Sequence, residues 1–145
     1  MAKLLGIAWR DTTRAPMQVA QAAGVSVERG VEADFRGAAR NRQVTLLSLS
    51  DWQAACAEIG VELPWTTRRS NLLVDHLNWA ELVGRRLQVG AVVLEIKVEI
   101  EPCSRMEAAH AGLQQALVPN WRGGAGCTVI EPGRIEQGDA VALLD

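Results

Sequence analysis

The sequence predicts a mainly β, barrel-like domain, and three observations carry that prediction. Leu94, Ile96, Val98 and Ile100 alternate strictly with Glu95, Lys97, Glu99 and Glu101, the period of two that gives a strand one core face and one wet face. Gln43-Val44-Thr45-Leu46-Leu47-Ser48-Leu49 is apolar and β-branched, with the length of a buried strand. Turn dipeptides such as Pro132-Gly133 and Gly138-Asp139, together with frequent glycine, cut the rest into short segments. Many short strands with only small helices favour a barrel over an α/β alternation.

In chain order, residues 4–9 read as the first strand. Residues 17–27 contain a second extended stretch, interrupted by Gly24 and Gly30. After the buried strand, Ser50 and Gln53 have capping-box spacing. Trp52, Ala55, Cys56 and Ile59 follow at helical intervals and Gly60 ends the run, so a helix is expected over 51–59. Residues 71–74 form the next strand. Asn78 with Glu81 caps a second short helix over 79–83, closed by Gly84. Ser104 and Glu107 repeat the capping-box spacing, so a third helix begins at Arg105 and carries Met106, His110 and Leu113 at related positions. Residues 127–130 and 140–144 are the closing strands.

Composition narrows the function. The 145 residues carry 15 Lys+Arg against 17 Asp+Glu, a formal charge of −2, which offers no general attraction to nucleic acid or anionic lipid. A 48% hydrophobic and 22% charged mixture excludes a disordered chain. No apolar run approaches the roughly 20 residues of a membrane span. Met1-Ala2-Lys3-Leu4-Leu5-Gly6 has no signal-peptide pattern. A single domain over 1–145, soluble and cytoplasmic, is the expectation. The three cysteines, Cys56, Cys103 and Cys127, are then free thiols rather than a disulfide framework. With no CxxC and with His76 and His110 far apart, a structural zinc site is not expected. Tyrosine is absent and Phe35 is the sole phenylalanine, which leaves aromatic packing to five tryptophans and provides no stacking platform for single-stranded nucleic acid.

Cys103 is the candidate for chemistry. It stands at the exit of the alternating strand, just before a predicted helix start, where free backbone N–H groups and the helix dipole favour a thiolate, with Arg105 two residues on. Such a sulfur can attack, carry a persulfide or bind a soft metal. Position alone leaves a second role open, since free cysteine commonly packs as a small hydrophobe. Cys56, on the apolar helix face, and Cys127, after a glycine-rich loop, read as packing residues. Arg68-Arg69-Ser70-Asn71 offers guanidinium forks, a hydroxyl and an amide to an anion. Arg36, Arg40 and Arg42 lie in what reads as a flexible loop, either a second anion cluster or a solvated basic face. Trp121-Arg122-Gly123-Gly124-Ala125-Gly126 lacks the Lys-Ser/Thr ending of a phosphate loop. His110 reads as a packed or partly exposed histidine, and no Ser-His-Asp or Cys-His-Asp arrangement can be assigned.

Five motifs in register resemble the MOSC domain, the C-terminal domain of molybdenum-cofactor sulfurases. They are Gly30-Val31-Glu32-Ala33-Asp34 with Arg42-Gln43-Val44-Thr45-Leu46-Leu47; Arg68-Arg69-Ser70-Asn71-Leu72-Leu73-Val74; and Leu82-Val83-Gly84-Arg85-Arg86-Leu87-Gln88-Val89-Gly90. The last two are Glu101-Pro102-Cys103 and the tail Trp121-Arg122-Gly123-Gly124 with Gly133-Arg134-Ile135-Glu136-Gln137-Gly138-Asp139-Ala140-Val141. The resemblance implies a small MOSC-type β-barrel that handles sulfur or the molybdenum cofactor. Cys103 would be the functional residue, as a persulfide carrier or a molybdenum-ligating thiolate. It further implies that Arg69 and Asn71, with Arg68 a further contact, hold the anionic pterin. The family pattern often has Gly-Asp and a nearby histidine where this chain has Ala33-Asp34-Phe35-Arg36, which leaves Asp34 without an assigned role. Three functions follow as expectations. One is a sulfur carrier loaded by a pyridoxal-phosphate-dependent cysteine desulfurase or sulfurase. Another is a molybdenum-cofactor-dependent reductase of N-hydroxylated compounds, drawing electrons from a separate protein because ferredoxin-type cysteines are missing. The third is a non-catalytic binding module.

Overall fold

Short leucine- and valine-rich segments pair edge to edge until the sheet meets itself. In the computed structural model, which describes residues 2–35 and 40–144, the chain opens with strands β1 (Ala2–Trp9), β2 (Gln18–Ala20), β3 (Ala22–Ser26) and β4 (Gly30–Val31). Strand β5 (Val44–Ser48) runs directly into helix α1 (Leu49–Glu58), and a 3₁₀ turn at Trp65–Arg68 leads to β6 (Leu72–Val74). After a second such turn at Trp79–Glu81 come β7 (Arg86–Val89), β8 (Val92–Glu99) and the short helices α2 (Ser104–Ala109) and α3 (Leu113–Ala116). A turn at Pro119–Trp121 precedes β9 (Ala125–Glu131), β10 (Gly133–Glu136) and β11 (Ala140–Leu144).

Among the described residues, the order β11-β7-β8-β9-β5-β6-β1 is closed by pairing of β11 with β1, where Ala2 faces Val141 and Lys3 faces Ala140. The result is a seven-stranded barrel, mainly β, with three short helices. β2 extends the sheet along the far half of β1, and β10-β3-β4 form a separate small sheet. The β5–β6 pair is parallel, with Leu46, Leu47 and Ser48 beside Leu72, Leu73 and Val74. A parallel pair needs a crossover, and α1 with the turn after it supplies one.

That crossover explains why β5 reads as a continuous apolar run. Val44 and Leu46 point into the barrel, where they pack with Leu4, Ile7, Leu72, Leu94 and Ile96. Leu47 joins Leu73 on the other face, beneath Trp52, Met106, Leu113 and Leu117 of the helical layer. A strand covered on both faces loses polar alternation. β8 keeps it: Leu94 and Ile96 are buried, while Glu95 and Lys97 are partly exposed.

The three predicted caps need correction. Helix α1 starts at Leu49 with Ser48 as N-cap and no side-chain cap bond; the Ser48 hydroxyl accepts from the Leu77 N–H at 3.0 Å, while Ser50 Oγ lies 2.7 Å from His76 Nδ1. Trp79–Glu81 is a single 3₁₀ turn whose N-cap Asn78 makes no side-chain cap bond. Helix α2 begins at Ser104, and the Glu107 carboxylate reaches forward to the Gly112 N–H at 2.9 Å instead of back to the cap. In the first and last of these, a tertiary or later backbone partner takes the side chain that the spacing had assigned to the helix end. The third helix also breaks: His110 is extended and Gly112 takes φ +88°, so Leu113 starts α3 on a new axis. The last long strand begins at Ala125, ahead of Cys127.

Candidate functional site

Pro102 cannot donate to a strand ladder and stops β8, so the chain turns at Cys103, the N-cap of α2, whose thiol is exposed. Helix α2 has only six residues, too short for a substantial macrodipole. Positive charge near the sulfur comes instead from side chains. Cys103 opens onto a cleft of about 50 Å³ whose walls are Arg10, Thr45, Arg68, Arg69, Ser70, Ile100, Arg105 and Met106.

Each wall has a local cause. Arg10 follows the last residue of β1 and is 2% exposed. Its N–H donates to the Asp34 carboxylate at 3.1 Å, its carbonyl accepts from the Phe35 N–H at 2.9 Å, and its guanidinium stacks 4.8 Å from the Phe35 ring centre. Asp34 thus acquires a structural position: it fixes the segment that delivers Arg10. Arg68 ends the Trp65–Arg68 turn, 7% exposed, and donates from Nε to the Gly123 carbonyl at 2.9 Å and from Nη2 to the Ile100 carbonyl at 2.8 Å. Those bonds tie the exit of β8 to the loop before β9, and their acceptors are uncharged. Gly124 in that loop has φ +103°, and an added Cβ would collide with the Leu46 carbonyl. Arg69 sits in the left-handed region at φ 67°, ψ 32°, and its Nη1 donates to the Ala15 carbonyl at 3.2 Å.

Beyond the cleft lies an open groove of about 700 Å³, lined by Arg14, Pro16, Met17, Thr66, Thr67, Ala108 and Ala109 and sharing Arg69, Arg105 and Met106 with the cleft. Among the described residues, no carboxylate lines either cavity. The pair can therefore hold an anion against an accessible sulfur.

The structure brings Cys103, Arg68 and Arg69 together and sets Asn71 behind them. The Asn71 carbonyl oxygen accepts from the Thr45 N–H at 3.0 Å and hydroxyl at 3.2 Å, and its amide donates to the Ala8 carbonyl at 3.2 Å. It fastens β1, β5 and β6 and does not line the cleft. Arg40 and Arg42 occupy an exposed 3₁₀ turn away from both cavities; Arg36 lies outside the described residues. Cys127 is wholly buried in the barrel core, where burial pushes its thiol pKa far up. Cys56 is buried on the inner face of α1, where burial likewise raises its pKa, opposed by a backbone hydrogen bond at Leu63. His110 Nδ1 donates to the Ala111 carbonyl at 3.0 Å, away from the cleft. Arg10, Thr45 and Met106 join the site without having been singled out for it, alongside Ser70 of the Arg68–Asn71 stretch. Arg10 alone carried a usable signal, a cation at the carboxyl end of the first strand; the others arrive by tertiary packing.

The family model for the MOSC domain matches residues 32–142. No curated protein matches the chain. Among solved structures, the YuaD protein from Bacillus subtilis superposes with a TM-score of 0.80 at 18% identity, over 99% of this chain and 96% of that one. YiiM from Geobacillus stearothermophilus gives 0.81 at 14% identity, over 100% and 76%. YiiM from Escherichia coli gives 0.75 at 14% identity, over 99% and 70%. At these identities the likeness is one of fold.

Proposed function

The chain belongs to the MOSC domain family, which is associated with molybdenum-cofactor binding or sulfur handling, and from that premise we propose that it binds the molybdenum cofactor with the Cys103 thiolate as the protein's ligand to the metal. One observation carries this reading: among the described residues, an exposed sulfur opens onto a cleft lined by four arginines and no carboxylate. Among the described residues no group of three or more His, Cys, Asp or Glu could hold a metal ion, so a metal at Cys103 would take its other ligands from the pterin dithiolene and from solvent. The donor set fits that group. A single soft thiolate supplies the protein ligand, and Arg10, Arg68, Arg69 and Arg105 offset the negative charge of an anionic pterin. Thr45 and Ser70 add hydroxyl groups to the wall. Arg68 also keeps the β8 exit fixed through its two carbonyl bonds, which holds Cys103 to the cleft.

When bound, the cofactor supplies two-electron chemistry. The reaction that suits it is reduction of an N-hydroxylated compound, R–NHOH + 2e⁻ + 2H⁺ → R–NH₂ + H₂O, with electrons from a separate redox protein. The test is molybdenum content by elemental mass spectrometry after expression in a molybdenum-replete host. Wild type should carry close to one molybdenum per chain and Cys103→Ser almost none, with unchanged circular dichroism because the thiol is exposed. Full retention in Cys103→Ser overturns the reading.

A second reading, sulfur carriage, is favoured by the exposure of the thiol itself. The Cys103 thiolate would attack the terminal sulfur of a donor persulfide on a pyridoxal-phosphate-dependent cysteine desulfurase; the donor S–S bond breaks, its thiolate leaves, and Cys103 holds the new S–S bond. Metal-free protein that takes ³⁵S from labelled cysteine and a desulfurase, and loses it in Cys103→Ser, supports this alternative. A Cys103 thiol inert in both assays assigns the chain to the non-catalytic modules.

A further inference from the structure

We infer that the cavity between α1 and the segment that follows it is a second ligand site, and that it takes an ammonium cation carrying an aromatic or alkyl group. The inference does not rest on the reading of Cys103. This cavity shares no lining residue with the cleft or the groove.

The end of α1 makes the cavity. Gly60 takes φ +69°, a backbone conformation that suits glycine just past a helix end. Its N–H donates to the Ala57 carbonyl at 3.1 Å and the Val61 N–H to the Cys56 carbonyl at 3.1 Å, the paired bonds of a Schellman cap. The cap reverses the chain, so that Val61, Leu63 and Trp65 return alongside Leu49, Trp52 and Cys56 of the helix. Together they bound an open cavity of about 670 Å³, within the size range of small-molecule sites.

Both indoles are held before any ligand arrives. Trp52, 2% exposed, donates from Nε1 to the Leu63 carbonyl at 2.9 Å, which ties the returning segment to the helix. Trp65 is seated on the bare backbone of Gly6 in β1, where an added Cβ would come within 2.8 Å of its Cζ2. Aromatic walls fixed in this way need little further ordering on binding.

Charge selects the occupant. Among the described residues, Glu62 is the one charged side chain that lines the cavity. Glu58, on a neighbouring face of α1, pairs with Arg122 at 3.0 Å. Glu62 is exposed and joins no ion pair among the described residues. A free carboxylate at the rim repels an anion, and tryptophan rings attract a cation through their quadrupole. The cavity is thus the electrostatic opposite of the arginine-lined cleft. An ammonium group draws on the carboxylate and the indoles, while its apolar substituent fills the space between Leu49, Val61 and Leu63. An uncharged ligand of the same shape draws on apolar contact alone.

Calorimetric titration with 4-(trimethylammonio)phenol and its uncharged isostere 4-tert-butylphenol tests this. The cation should bind at least about threefold more tightly. Glu62→Gln should weaken the cation about threefold and leave the isostere unchanged. Trp65→Leu should weaken the cation more than the isostere. Because Trp65 also packs on Gly6, its variant is first checked by melting temperature; Glu62 is exposed, so Glu62→Gln decides the matter if Trp65→Leu does not fold. Carbamidomethylation of Cys103 should leave cation affinity unchanged. Equal or tighter binding of the isostere, no binding of either probe, or unchanged cation affinity in Glu62→Gln overturns the proposal. Loss of binding after Cys103 modification places the cation in the cleft and overturns it as well. A dimer in sedimentation that Trp65→Leu abolishes gives this face to a second copy of the chain, with the same consequence. The cofactor reading is tested separately, by the molybdenum content of Cys103→Ser.

Discussion

Asn71 serves three strands at once, holding Thr45 through two bonds and Ala8 through a third. A buried polar group left without its partner costs about 1–3 kcal/mol. Asn71→Ala strands several such groups and should lower stability by about 2–4 kcal/mol, measured as a shift in the urea midpoint with unchanged slope. The contrast with Cys103 is instructive. Both residues belong to motifs that the sequence offers as functional, yet one side chain faces the cleft and the other faces the strands. Residue type and spacing could nominate both, but only the packing around them separates an exposed thiol from an amide sealed between β1, β5 and β6. Arg10 is the converse case: its place at the end of the first strand is all that marks it locally, because Asp34 and Phe35, which hold it, lie more than twenty positions away.

At the level of single elements, legibility followed burial. β8 and β5 were readable because each has one dominant environment, half-wet in the first and dry on both faces in the second. β10 was hidden because its first residue, Gly133, reads as a turn with Pro132, and four residues are too few to show a period. The cap signals misled because hydroxyl and carboxylate groups near helix ends found partners elsewhere. On β8, Lys97 first and Arg86 second hold the Glu95 carboxyl below its ordinary value of 4.5. Folding therefore favours the charged form. The resulting stabilisation is complete above the unfolded value and is lost as pH falls through the lower folded one. The stability gap between wild type and Glu95→Gln should accordingly shrink between about pH 5 and pH 3, as read from urea titrations at stepped pH. A gap that widens on acidification would contradict the assignment.

Across the whole molecule, closure of the barrel depends on its last strand. β11 pairs with β7 through four residues and with β1 through Ala2 and Lys3, and Val141 is packed in the core. Deleting residues 140–144 exposes the edges of β7 and β1 together. The truncated chain should lose cooperative thermal unfolding and bind a hydrophobic dye, whereas the intact protein should unfold cooperatively and leave the dye unbound. Barrel class was visible from strand frequency and glycine spacing, but the order of strands around the wall was not, since pairing partners as distant as β1 and β11 leave no trace in local pattern.

The three sulfurs stand at three depths: Cys103 in solvent, Cys56 on the inner face of α1, Cys127 inside the barrel wall. One alkylating reagent followed by peptide mass spectrometry thus reports three different events on a single molecule. Modification of the first tracks solvent, of the second the lifting of a helix, and of the third the opening of the sheet itself, so the chain carries its own clock for how it comes apart.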